Sequence, residues 1–301
     1  MYLEFWNLRE HPFQNVDDTR FAYLSDQHHE GLARLVYLVQ NRKLGGVLTG
    51  PYGVGKTMVI EILAQQLRKE KDTRFTRIDY FPGTCAGLAR YLLSAMGYGD
   101  DTLGQVSEAL DAVRILRADQ KNLVHNTLVI DEAQTITDPD VYNLLHVLMN
   151  LTLLDDQDRA KGVAFTVILA GYNDMTYLLA KDESLCQRLQ MCWHLEPLNA
   201  KQVLEYVQHR IRVAGGDIWV FEPEAINELA VASEGIPRKI NNICDVALML
   251  GYAANVPKID VTLMRQAVQD ACFPVGGEKR ETPHQPNDDD TDEGPPRIQA
   301  L

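Results

Sequence analysis

The sequence predicts an α/β protein in which a parallel five-stranded sheet lies between helices and a small all-helical domain follows. Three observations predict it. Between residues 44 and 195, short apolar runs alternate with helical patterns, as in strands joined by crossover helices. From Glu196 to Cys272 only helical periodicity continues. After Phe273 the composition turns to Pro, Gly, Asp and Glu, with too little apolar surface to fold. The expected spans are therefore 1–195 for the sheet domain with its aromatic amino-terminal segment, 196–275 for the helical domain and 276–301 for a disordered acidic tail.

Each element has its own signal. Residues 1–43 mix aromatics with polar turns and then give an amphipathic stretch from His28 to Asn41. The strand runs are Gly46–Thr49, Phe75–Asp79, Thr127–Asp131, Val163–Ala170 and Met191–Leu195. Between the first two, Val59, Leu63 and Leu67 recur at every fourth residue, which predicts a helix. In the helical domain, Val203, Val207 and Ile211 line one face, then Ile226, Leu229 and Ala230, then Ile240, Ile243, Ala247 and Gly251. Asp260 is a good N-cap for a fourth helix. There is no internal repeat.

The chain has 301 residues, is 46% hydrophobic and carries a formal net charge of −13. From Gly276 onward seven acids oppose three bases, which assigns −4 to the tail and −9 to the rest. An acidic body disfavours strong non-specific DNA binding, which depends on neutralising phosphates with Lys and Arg. Arg68, Lys69, Lys71, Arg74 and Arg77 cluster in sequence and read as a solvated helix end. No apolar run approaches the roughly 18 residues of a membrane span, and the amino terminus lacks the layout of a secretory signal. Five scattered cysteines read as reduced thiols, without metal or disulfide roles, in a cytoplasmic protein.

The chemistry concentrates in two motifs. Residues 50–57, GPYGVGKT, match the P-loop pattern GxxxxGK[ST]. Gly50, Gly53 and Gly55 allow a tight turn that aims main-chain N–H groups at phosphate oxygens, and the following helix adds its positive end. Lys56 reaches the β- and γ-phosphates of a nucleotide, and the Thr57 hydroxyl is a Mg²⁺ ligand. The whole stretch, with Pro51, Tyr52, Val54 and Met58, is the expected ATP contact. The second motif, TLVIDEAQ at 127–134, ends a strand in two carboxylates at the sheet edge where ligands bind in open α/β folds. Asp131 is expected to hold Mg²⁺ through its water shell, and Glu132 to orient and polarise the attacking water.

Three weaker candidates complete the constellation. Asn173, after the fourth strand run, is the expected γ-phosphate sensor, or else it caps the next helix. Arg188, before the fifth run, is an arginine finger for a neighbouring subunit's ATP, or else a surface ion-pair partner. Arg238, in GIPRKIN, would contact phosphates from the helical domain.

Taken together, these features resemble the AAA+ superfamily, with a P-loop core and a helical lid. The match is closer to the general secretion pathway protein A family. MYLEFWNLREHPFQNVDDTRFAYLS is similar to that family's aromatic opening, HLEPLNAKQVLEYVQHRIRVAGG to the start of its lid, and EGIPRKINNICDVALMLGYA to its sensor-2 helix. The similarity covers roughly residues 1–272. One departure is Tyr172, where the family usually carries Gln after the strand's glycine. The resemblance implies an ATPase using ATP and Mg²⁺ that forms an ATP-dependent homo-oligomer, a ring or a filament, and acts on a protein partner, connected with secretion or surface export. Related ATPases regulate DNA transposition with the same core layout, so a DNA-binding ATPase is the alternative. A third reading, a nucleotide switch without hydrolysis, is disfavoured by the intact Glu132.

Overall fold

Continuous apolar runs become the middle of a sheet because both faces of a central parallel strand are covered by helices. In the computed structural model, which describes residues 2–70, 72–79, 81, 83–179 and 182–271, the fully buried strands are β1 (Gly45–Thr49), β3 (His125–Ile130) and β6 (Phe165–Gly171). The edge strands β2 (Thr73–Ile78) and β7 (Leu189–His194) are only partly covered, and β7 alternates half-buried with exposed residues. The order is β2-β3-β6-β1-β7 and every pairing is parallel. All five strands therefore end on the same edge, which gathers the residues after Thr49, Ile130 and Gly171.

One sheet face packs against the helices Cys85–Ala95, Ala109–Ala118 and Asp140–Met149. The other packs against Asp26–Gln40 and Lys56–Leu67. All five predicted runs form strands, with one correction. Val163 closes an antiparallel hairpin of β4 (Thr152–Leu154) and β5 (Ala160–Val163), and the parallel strand starts at Phe165. Strands of three and four residues carry too little alternation to be read. Their turn is held by Asp155, whose Oδ1 accepts from Gln157 N–H at 2.9 Å and Arg159 N–H at 2.8 Å.

The carboxyl-terminal helices are Ala200–Val213, Pro223–Ser233, Pro237–Ala253 and Val261–Ala271. Asn199 and Gln202 form a capping box on the first, and Asp260 caps the last by accepting from Leu263 N–H at 2.8 Å. Two begin with Pro, whose missing N–H has no role at that position. The aromatic segment before residue 26 gives Trp6, Leu8, Phe13 and Phe21 to this helical core and to neither face of the sheet. Arg210 fastens it, donating to Pro12 O at 2.5 Å and Gln14 O at 2.8 Å. The described residues form one compact unit; the acidic tail expected at 276–301 lies outside them. Among the described residues, no helix is long and apolar enough to cross a membrane.

Candidate active site

The loop after β1 crosses from the sheet edge to the helix Lys56–Leu67 in six residues, and only unusual backbone angles allow it. Gly53 sits at φ +78°, and a Cβ there would lie 2.6 Å from Arg238 Cβ. The close approach of the helical domain and the left-handed backbone both require glycine. The cap of the following helix, Gly55, is also left-handed and supplies no side-chain cap, so the first N–H groups of the helix face the cleft as an anion cradle. His28 supports the loop from below. Its Nε2 contacts Val54 O at 3.0 Å and its Nδ1 contacts Ser25 Oγ at 2.6 Å. A carbonyl only accepts, so Nε2 carries the proton and Nδ1 receives the serine hydroxyl. Burial pushes the His28 pKa down, which favours that neutral form.

Lys56 is 4% exposed. Its ammonium donates to Gly50 O at 2.9 Å and Pro51 O at 3.0 Å. Burial lowers its pKa, with Glu132 and then Asp131 pulling the other way. A buried ammonium held by main-chain carbonyls at the mouth of an N–H cradle fits a polyphosphate. Next to it, Thr57 Oγ1 donates to Asp131 Oδ2 at 3.0 Å, and Glu132 N–H donates to Asp131 Oδ1 at 3.0 Å. Arg77 Nη2 lies 3.4 Å from Asp131 Oδ2. Burial nevertheless outweighs these partners and raises the Asp131 pKa. A hydroxyl and a carboxylate side by side are the hard oxygen donors that Mg²⁺ takes.

Glu132 has a left-handed backbone, φ +50°, uncommon for a side chain of this size. Its Oε2 accepts from Gln134 Nε2 at 2.5 Å. That amide also reaches Tyr52 OH at 3.3 Å, while Gln134 Oε1 accepts from Tyr172 N–H at 3.1 Å. The rings of Tyr52 and Tyr172 stack at 4.8 Å and 8°.

Lys56, Thr57, Met58, Glu132 and Arg238 line one cleft, open to solvent, together with residues 14–17, residues 21–24, Tyr206, Arg210 and Asn241. Arg238 N–H also donates to Gly53 O at 3.3 Å, which ties the helical domain to the loop. Two candidates lie elsewhere. Asn173 is exposed just past β6 and does not line the cleft. Arg188 ends the helix Glu183–Arg188, and its Nη1 donates to Ser184 O and Ser184 Oγ at 2.8 Å each.

Sequence reasoning missed three contributors. Arg77 was expected in a solvated helix end; it sits on β2, 18% exposed, facing Glu61, Asp79 and Asp131. A basic residue penultimate in a strand was the available signal. Gln134 stands two residues after Glu132, and only its polarity marked it. The buried Arg210, whose guanidinium lies 5.1 Å from the Phe21 ring centroid and 5.6 Å from that of Tyr206, carries no signal in the sequence beyond its charge.

Comparison with known proteins agrees with this fold. A family model described as an AAA domain matches residues 39–179. General secretion pathway protein A of Aeromonas hydrophila is 32% identical over 268 residues, covering 86% of this chain and 46% of that protein. The chain thus spans about half the length of this relative. Among solved structures, the Aeropyrum pernix ORC2 protein, in ADPNP and ADP complexes, superposes with a TM-score of 0.65 at 15% identity, over 85% of this chain and 72% of that one. Cdc6p of Pyrobaculum aerophilum gives 0.66 at 15% identity, over 87% and 73%. At such identities the likeness is one of fold. With its P-loop sheet, its helical domain and this sequence similarity, the chain belongs to the AAA+ ATPase family as a relative of general secretion pathway protein A.

Proposed function

We propose that the cleft binds ATP with Mg²⁺ and hydrolyses it, and that the cycle drives assembly or remodelling of a partner complex. The observation that carries the reading is the convergence of Lys56, Thr57, Asp131 and Glu132 at the carboxyl edge of β1 and β3, with Arg238 facing them. Lys56 and the loop N–H groups from Gly50 to Met58 would hold the phosphates, and Arg238 would close over them from the lid within one subunit. Thr57 and Asp131 would hold Mg²⁺, which when bound neutralises charge on the β- and γ-phosphate oxygens. Glu132 would orient water and take its proton as the oxygen attacks the γ-phosphorus and the bond to the β–γ bridging oxygen breaks. Asn173 would sense the γ-phosphate after a small movement of the loop beyond β6. Arg188 would act in trans, on the site of a neighbouring subunit in a ring or filament.

The relative's name supports a link to secretion, and the net charge of −13 supports a protein cargo over DNA; the chain would act in the cytoplasm, on a secretion or surface-export complex. The sheet domain would end at 195 and the helical domain at 275. The test is steady-state phosphate release together with retention on duplex DNA at about 50 and 200 mM salt. Turnover with no salt-dependent retention is expected. Retention at low salt that collapses at high salt would favour the DNA-binding alternative, and no turnover would leave a nucleotide switch.

A further inference from the structure

Gln134 has no role in the chemistry described so far, yet its amide spans three parts of the site. Its Nε2 lies 2.5 Å from Glu132 Oε2 and 3.3 Å from Tyr52 OH, and its Oε1 receives Tyr172 N–H at 3.1 Å. The amide orientation follows from its neighbours: an N–H must face the amide oxygen, and a carboxylate must face the amide nitrogen. The end of β6 is also shaped for this contact. A Cβ on Gly171 would stand 2.4 Å from Gln134 Oε1, so only glycine leaves room for the side chain to reach the strand. Glu132 itself is held in a left-handed backbone conformation, which persists only where surrounding contacts enforce it.

We propose that Gln134 is a positioning residue that fixes the Glu132 carboxylate and ties its placement to the end of β6 through Tyr172. This rests on Glu132 acting as the hydrolytic base. The Tyr52–Tyr172 stack connects the P-loop tip to the same strand end. A shift of that end on phosphate loss would therefore reach the base through one amide. Gln134 touches neither nucleotide nor water in this scheme; it acts through Glu132.

The two substitutions Gln134→Leu and Gln134→Glu both remove the amide donor, and they differ in a way a structural role would not. Leucine leaves the Glu132 carboxylate without its partner at every pH. The introduced carboxylate repels Glu132 at pH 8, but as pH falls the two oxygens share a proton and a donor is restored. In the full chain, both variants are expected to bind a fluorescent ATP analogue within about threefold of the unsubstituted protein. Their kcat should fall about 10- to 100-fold at pH 8, as for a displaced catalytic group. Gln134→Glu should recover relative to the unsubstituted protein between pH 8 and 6, while Gln134→Leu should not. The proposal is overturned if kcat stays within about twofold in both variants, if binding falls as far as kcat, or if both show the same pH profile. Glu132→Gln run in parallel separates the two levels. Unaltered turnover in that variant overturns the hydrolytic reading itself, whereas an inactive Glu132→Gln beside fully active Gln134 variants overturns only the link.

Discussion

The Thr57 hydroxyl donates to Asp131 Oδ2 at 3.0 Å, joining the helix that follows β1 to the end of β3 across 74 residues of chain. The bond joins the two residues proposed to hold Mg²⁺ and also stabilises a carboxylate that is 5% exposed. Burial still dominates and raises the Asp131 pKa above its unfolded value. By linkage, such a group favours folding while protonated and loses that contribution as pH rises through its folded pKa.

Asp131→Asn should therefore raise the urea midpoint at pH 7 or leave it unchanged, even though it removes a proposed Mg²⁺ ligand and should abolish turnover. The stability difference should shrink as pH falls and vanish well below about 3.8, where the carboxyl is protonated in both states. Denaturant titrations at several pH values read this directly. A large loss of stability at pH 7 would mean that the Arg77 and Thr57 contacts outweigh burial.

Gly53→Ala meets two obstacles, a φ of +78° and an Arg238 Cβ 2.6 Å from the added methyl group. Backbone strain of this kind is worth about 1–3 kcal/mol, and the neighbouring atom is no flexible side-chain end. The expected outcome is a lower melting temperature together with weaker nucleotide binding, since the lid must move off the loop. Calorimetry and nucleotide titration of the same preparation check both.

His28 is neutral beneath the P-loop, its pKa lowered first by burial. The unfolded chain then binds the proton more readily, so stability falls as pH drops below about 6.5 toward the lowered folded value. His125 and His209 are shifted the same way, so the difference between the unsubstituted protein and His28→Gln isolates one residue. That difference should favour the histidine form at pH 8 and narrow steadily below pH 6.5. A constant difference across the range would remove His28 as a pH-dependent support.

Arg188 is bonded to Ser184 and lies outside the cleft lining, so its proposed role requires a second subunit. Turnover per subunit should rise with protein concentration, and Arg188→Ala should bind ATP but hydrolyse it poorly. Mixing Arg188→Ala with Lys56→Ala should restore part of the activity, because intact loops in one meet intact fingers in the other. A mixture that stays inactive, with turnover independent of concentration, would dismiss the trans finger.

How legible the site was depended on how local each signal is. The P-loop was readable because its glycines, Lys56 and Thr57 act within eight residues, and β3 because an unbroken apolar run ends in Asp131 and Glu132. The four carboxyl-terminal helices were readable from periodicity and caps such as Asp260. The hairpin β4–β5 was not, since strands of three and four residues leave no periodic trace. Arg77, Gln134 and Arg210 were hidden because their partners, Asp131, Tyr172 and Pro12, come from other parts of the chain. A lone cation or amide in a sequence gives no sign of which distant carboxylate or carbonyl it will meet.

In the proposed cycle one cleft binds ATP through Lys56 and hydrolyses it through Glu132. The most direct measurement is equilibrium ATP binding and steady-state phosphate release for the unsubstituted protein, Lys56→Ala and Glu132→Gln side by side. Removing a buried ammonium that faces the phosphates should abolish binding and turnover together. Glu132→Gln, which keeps shape but loses the base, should bind normally while turnover falls about 100-fold or more. Unchanged ATP affinity in Lys56→Ala would remove Lys56 from phosphate binding, and unaltered turnover in Glu132→Gln would place the base elsewhere.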